Sequence, residues 1–145
     1  MNYSSDLQSA RLLLTTTSLM TDEAFAFIHS QCVFEGKLQN ESLDEWQAQS
    51  FELAFVAARL GAASSLLSSA LVNSGKNSTE DKRVEANEGA ANALSARVAL
   101  TNVVRTLSSI LGTLAAQAES LGLARERIFA FWQGEEFSQL EARYA

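Results

Sequence analysis

Glu45-Trp46-Gln47-Ala48-Gln49-Ser50-Phe51-Glu52-Leu53-Ala54, continued to Leu71 without proline or a polar block, decides the fold. A run of that length predicts a helix from Leu43 to about Asn73, roughly 45 Å long at 1.5 Å per residue. Phe51, Leu53, Phe55 and Val56 point in several directions on such a helix. A helix apolar all round is buried on most faces, so this one is expected at the centre of the molecule. Ser42-x-x-Glu45, just ahead of it, has the spacing of a capping box.

Outward from that run the chain divides into further helices. Ser4-Ser5-Asp6 offers N-cap residues for a first helix reaching about Val33. Along it Leu7, Ala10, Leu14, Thr17, Thr21, Ala24 and Ile28 alternate in threes and fours, and Gly36 with the polar stretch Lys37 to Glu41 breaks it. Ser74-Gly75-Lys76-Asn77-Ser78 reads as a turn with Gly75 in a left-handed cap, and Ser78-x-x-Asp81 as the next helix start. That helix carries Ala93, Ala96, Leu100, Val103, Leu107, Ile110 and Leu114 in a 3-4-3-4-3-4 spacing. Such a seam suits left-handed helix packing, either as the chain's own core or as a subunit interface. Gly112 interrupts it at about 1 kcal/mol relative to alanine, and Gly122 ends it. A fourth helix is expected from Leu123 to about Trp132, and a short fifth from Glu135 to Tyr144 after Gly134. The fold class is all-α: an up-and-down four-helix bundle with a short fifth C-terminal helix, one domain over residues 1–145.

Composition agrees and narrows the function classes. The chain has 145 residues, 47% hydrophobic and 19% charged, which suits one globular domain rather than a disordered segment. It contains no proline, where average usage gives roughly seven, and this leaves long helices uninterrupted. A net charge of −6 with scattered basic residues argues against nucleic acid and against anionic membrane surfaces. No apolar stretch reaches 18 residues free of Gln, Glu, Arg or Ser, so no membrane span is expected. Cys32 is the only cysteine and no signal-peptide pattern opens the chain, so a cytoplasmic setting is expected.

Few residues suggest chemistry directly. His29 and Cys32 stand at i, i+3 on the first helix, but no second pair joins them, and no metal site is expected. His29 is the only histidine, so no Ser-His-Asp or Cys-His arrangement is available. Trp46 and Trp132 read as packing aromatics at helix ends, and Arg125-Glu126-Arg127 as an ion-paired helix start. Ser64, Ser65, Ser68 and Ser69 make one side of the second helix partly polar.

Glu45-x-Gln47-Ala48-x-Ser50-Phe51-x-Leu53-Ala54 resembles the second helix of the C-terminal helical domain of flavin-dependent acyl-CoA dehydrogenases. Arg11-Leu12 resembles the arginine that opens that domain, Ser74-Gly75-Lys76 its second turn, and Glu126-Arg127 the pair before its last helices. The resemblance covers nearly the whole chain and only that domain of the family. It places the family's catalytic glutamate at Gln133, within Trp132-Gln133-Gly134-Glu135. A neutral amide cannot take up the substrate α-proton; Glu135 is the weak alternative, and Ala10 holds the other position from which some members supply a base. Of the flavin contacts, the resemblance leaves only Phe34, Gly112 and Trp132 as weak candidates. The family's arginine before Phe34 is missing, and Leu111 stands where a glycine is expected.

The resemblance therefore implies an accessory, non-catalytic subunit of an oxidoreductase complex. Such a subunit would contribute an assembly surface and, through a partner chain, a share of an FAD site. The alternative is a free-standing, oligomerising helical module with neither flavin nor catalysis. The partners expected are a second copy or a flavoenzyme subunit. Ala93, Ala96, Leu100, Val103, Leu107 and Ile110 are the interface candidates.

Overall fold

The computed structural model describes residues 3–75 and 82–145. Its elements are α1 (Tyr3–Cys32), β1 (Val33–Phe34), β2 (Lys37–Leu38), α2 (Asn40–Glu45), α3 (Gln47–Ser74), α4 (Lys82–Gln117), α5 (Arg125–Trp132) and α6 (Glu135–Tyr144). The fold is an all-α bundle. Side-chain pairs fix its up-and-down course. Arg59 meets Ser109 and Glu52 meets Gln117, so α3 and α4 run antiparallel. Glu23 meets Arg127 while Asp6 meets Arg143 and Tyr144, so α5 and α6 together run antiparallel to α1. The fourth position of the bundle is thus one helix broken at Gln133–Gly134.

The stripe read on α1 is its core face: Leu7, Ala10, Leu14, Thr17, Thr21, Ala24 and Ile28 are all buried. Two threonines fit there because each hydroxyl bonds back one turn, Thr17 to the Leu13 carbonyl and Thr21 to the Thr17 carbonyl, both at 2.9 Å. After α1 the chain makes a hairpin that its sequence pattern did not announce. Glu35 (φ 50°) and Gly36 (φ 75°) form its two-residue turn, and Val33 pairs with Leu38. Positive φ at both central residues is the primed geometry that matches strand twist.

The long apolar run departs from expectation in three ways. The helix expected from Leu43 is divided at Trp46 (φ −98°, ψ 7°) into α2 and α3. At the break the Trp46 ring stands edge-on against Phe27, with centroids 5.9 Å apart. The capping box does not form either: Gln39 is the N-cap of α2 and Ser42 lies inside that helix. Finally, α3 is buried on one face only, through Leu53, Val56, Leu60, Ala63, Leu67 and Ala70. Phe51 and Phe55 are 65% and 58% exposed.

The central helix is α4, which packs against α1, α3, α5 and α6. Its seam corrects the interface expectation. Ala96, Leu100, Val103, Leu107 and Ile110 are buried by the chain's own helices, and Ala93 is half-buried. Side chains already covered on every side cannot meet another subunit. Gly75 also departs from expectation, since it caps α3 at φ −85° rather than in the left-handed region. The start expected at Ser78–Asp81 lies outside the described residues. Gly122 behaves as expected: at φ 66° it closes a Schellman turn. In that turn Leu123 N donates to the Ala118 carbonyl at 2.8 Å and Gly122 N to that of Glu119 at 3.2 Å.

Candidate functional site

The residues singled out by sequence do not converge. Gln133 is exposed in the break between α5 and α6. Glu135 opens α6, where its Oε1 accepts a 2.9 Å bond from Gln139 Nε2. Phe34 is 67% exposed on the hairpin. Only Gly112 and Trp132 are brought together: the Trp132 ring lies 3.9 Å from the point a Gly112 Cβ would occupy. That ring stacks on Phe129 at 6.4 Å, with the planes 6° apart, so an aromatic of the chain itself covers the glycine.

The remaining motifs have structural employment. Arg127 pairs with Glu23 at 2.5 Å. Arg125 Nε donates to the Ala115 carbonyl at 3.2 Å, which meets one of the orphan acceptors at the end of α4. Cys32 is buried and His29 exposed. Among the described residues no group of three or more His, Cys, Asp or Glu is placed to hold a metal.

One polar cluster is more than packing. Asp6 is 6% exposed, and its carboxylate accepts 2.6 Å bonds from Arg143 Nη1 and from the Tyr144 hydroxyl. Burial, and then the bond to Asp6, push the Tyr144 phenol well above its ordinary range. A group held neutral and donating in this way closes the bundle; it is not poised for chemistry near neutral pH.

The surface that lacks a structural explanation is the outside of α3. This helix has two charged residues, Glu52 and Arg59, and both turn to α4. The exposed arc is left with Phe51, Ala54, Phe55, Ala58, Gly61, Ala62, Ser65, Ser68, Ser69 and Val72, none of them charged. By length and composition α3 and the Glu88–Gln117 part of α4 are apolar enough to cross a membrane, where the sequence led us to expect no such helix. The bundle buries 56% of the apolar window of α4 but 28% of that of α3. Of the two, α3 leaves the larger share of its apolar window in solvent.

Beside this face, α1 and α3 enclose two grooves. The first, of about 270 Å³, runs from Arg11 and Leu71 to Ser18 and Ser64. The second, of about 250 Å³, runs on from Ser18 and Ser64 to Asp22 and Ala57. Together they form one channel floored by leucines, edged by hydroxyls, cationic at one end and acidic at the other. A separate open depression of about 480 Å³ lies on α4 between Leu94, Val98, Arg97 and Arg105. Asp22, Ser18 and Gly61 were missed in the sequence. The signal that would have found this face is the stripe Phe51, Phe55, Ala58, Ala62, Ser65, Ser69 and Val72, a second 4-3-4-3-4-3 seam on a helix already carrying one. No protein-family model, no curated protein and no solved structure matches the chain. The acyl-CoA dehydrogenase resemblance accordingly stands on its quoted residues alone.

Proposed function

We propose that the protein is a non-catalytic helical association module, and that the uncharged outer face of α3, with the adjoining α1 groove, takes up protein. The observation that carries this reading is the exposed arc of α3, apolar or small over its whole length and free of charge. Monomeric soluble proteins rarely expose a patch of that extent without using it. Phe51 and Phe55, 65% and 58% exposed, each stand to gain about 1–2 kcal/mol on completing their burial. Small side chains and hydroxyls between the bulky ends favour a helix as the occupant, because they let backbones approach closely. A nucleic acid is a poor fit to a chain of charge −6. A small acyl or flavin ligand would leave most of the face in water.

Participation in a flavoenzyme complex is the weaker proposal. It rests on resemblance, and the chain's own Trp132 covers Gly112. Absorbance of the purified protein incubated with FAD and repurified measures that directly, since retained flavin bands would revive it.

A photo-reactive residue at Ala62, with a matched control at exposed Glu141 on α6, tests the association reading in cells. Irradiation is expected to yield polypeptide adducts at 62 in excess over the control. Adducts equal at the two positions would overturn the reading.

A further inference from the structure

The association reading leaves open which protein covers the face, and the charges beside it identify one. We propose that the occupant is a second copy of this chain, in an antiparallel twofold dimer that stacks α1 on α1 and α3 on α3. This inference rests on the association reading and adds the identity of the partner.

Charge selects the copy. Arg11, Thr15, Ser18 and Asp22 form one stripe of α1 along the channel. Both charged residues are exposed, and neither joins an ion pair among the described residues. Eleven residues of helix hold them about 16 Å apart, too far to meet each other. A twofold axis crossing α1 midway between them sets Arg11 of one protomer against the partner's Asp22. The same operation repeats the pair at the other end. A charged couple unsatisfied within one chain is therefore self-complementary in two, as an isologous interface requires.

Shape follows the same symmetry. Ser18 and Ser64 belong to both grooves, so the axis that crosses α1 near Ser18 crosses α3 near Ser64. Gly61, Ser65 and Ser68 surround that level, and side chains this small let two helices approach to about 8 Å. The bulkier Val72 stands away from it, exposed beside the Leu71 end of the groove. Leu12 and Leu19, exposed on α1, flank the same level. About a level at Ser64 the stretch of α3 that can face its copy runs from Val56 to Val72, about 24 Å, and two helices wide it covers roughly 450 Å² per protomer. A standard stable interface buries about 800 Å² per partner.

Gly61 supplies an independent mark. Glycine weakens a helix interior relative to alanine, yet a Cβ at this position would meet nothing within 4 Å in the isolated chain. Gly89 on α4 is equally open, so what Gly61 adds is room: a helix laid on α3 at this level meets no side chain.

Light scattering coupled to size exclusion tests the dimer on Arg11→Asp, Asp22→Arg and their equimolar mixture. The wild-type 15.7 kDa chain is expected at twice its mass. Each single variant faces like charges at both contacts and is expected to self-associate at least about tenfold more weakly. The mixture restores both opposite-charge contacts and is expected to recover the dimer mass. Gly61→Leu, which improves helix propensity, is expected to be monomeric with unchanged helical circular dichroism. Four results would overturn the proposal: a wild-type monomer up to its solubility limit, single variants that dimerise like wild type, a mixture that stays monomeric, or wild-type monomers bound to neutral phosphatidylcholine vesicles. A monomeric wild type that still gives polypeptide adducts at position 62 would sink the dimer and leave the association reading standing. A wild-type monomer without such adducts sinks both.

Discussion

Replacing Gly122 by alanine perturbs the tightest glycine in the chain, and its cost can be worked from the structure. The backbone there has φ 66°, and an added Cβ would stand 2.5 Å from both Cγ and Cδ2 of Phe27. A side chain in the left-handed region costs about 1–2 kcal/mol. Carbon atoms in ordinary contact sit at about 3.5–4.0 Å, so the overlap with the ring is about 1 Å. Phe27 has little freedom to yield, being packed against the core and edge-on to Trp46. Forced overpacking of this kind costs about 1–3 kcal/mol. The smaller unfolded-state entropy of alanine returns about 0.4–1 kcal/mol. The net expectation is a loss of about 3 kcal/mol, read by urea unfolding with circular dichroism at unchanged m-value. Gly36→Ala is the reference, because φ is 75° there but nothing lies within 4 Å of the added Cβ. That variant is expected to lose about 1 kcal/mol. In a Phe27→Ala background the cost of Gly122→Ala is expected to fall to the same backbone value. If Gly122→Ala costs no more than Gly36→Ala, the overlap with Phe27 is not what holds glycine at this turn.

Gly112→Ala is expected to have the opposite sign: its Cβ would rest 3.9 Å from Trp132, so the helix gains about 0.5–1 kcal/mol, measurable as a raised urea midpoint. Leu100→Ala empties a fully buried site and is expected to cost about 2–5 kcal/mol in the same assay. Asp6→Ala leaves the buried Tyr144 hydroxyl without its acceptor and is expected to cost about 1–3 kcal/mol. A double-mutant cycle with Tyr144→Phe would return a coupling energy well above zero. The raised Tyr144 pKa also sets a pH dependence. Below about pH 10 the phenol is protonated in folded and unfolded chains alike and its contribution is complete. Above that the unfolded chain ionises first, so stability falls as pH rises; thermal melts at pH 9 and 11 are expected to differ more for wild type than for Tyr144→Phe.

Sequence periodicity found the bundle because its core faces repeat in threes and fours along α1 and α4, and burial follows those positions at every residue but the half-buried Ala93. The same rule misjudged the run at Glu45. Apolar residues on several sides of a helix imply burial on several sides only if nothing else explains them, and Phe51 and Phe55 remain outside. The break at Trp46 was illegible for a different reason: it falls where the indole packs on Phe27, a contact no local pattern encodes. The hairpin was hinted at only by Glu35-Gly36 between Val33-Phe34 and Lys37-Leu38. Arg11 and Asp22 lie on one helix, but their relation to a channel exists only once α3 is laid beside α1. The resemblance directed attention to Gln133, Phe34 and Trp132, and of the three only Trp132 meets another candidate residue, Gly112.

The clasp between Asp6 and the Arg143–Tyr144 pair has a consequence for biosynthesis. Its partners are 137 and 138 residues apart in sequence. Arg143 is made 137 residues after Asp6, so the carboxylate is matched only once that much more chain has been added. Without those partners the start of α1 carries a carboxylate that burial would penalise. The two ends of the described bundle are thus tied through one carboxylate, and the start of α1 is buried without penalty only with the last turn of α6 in place.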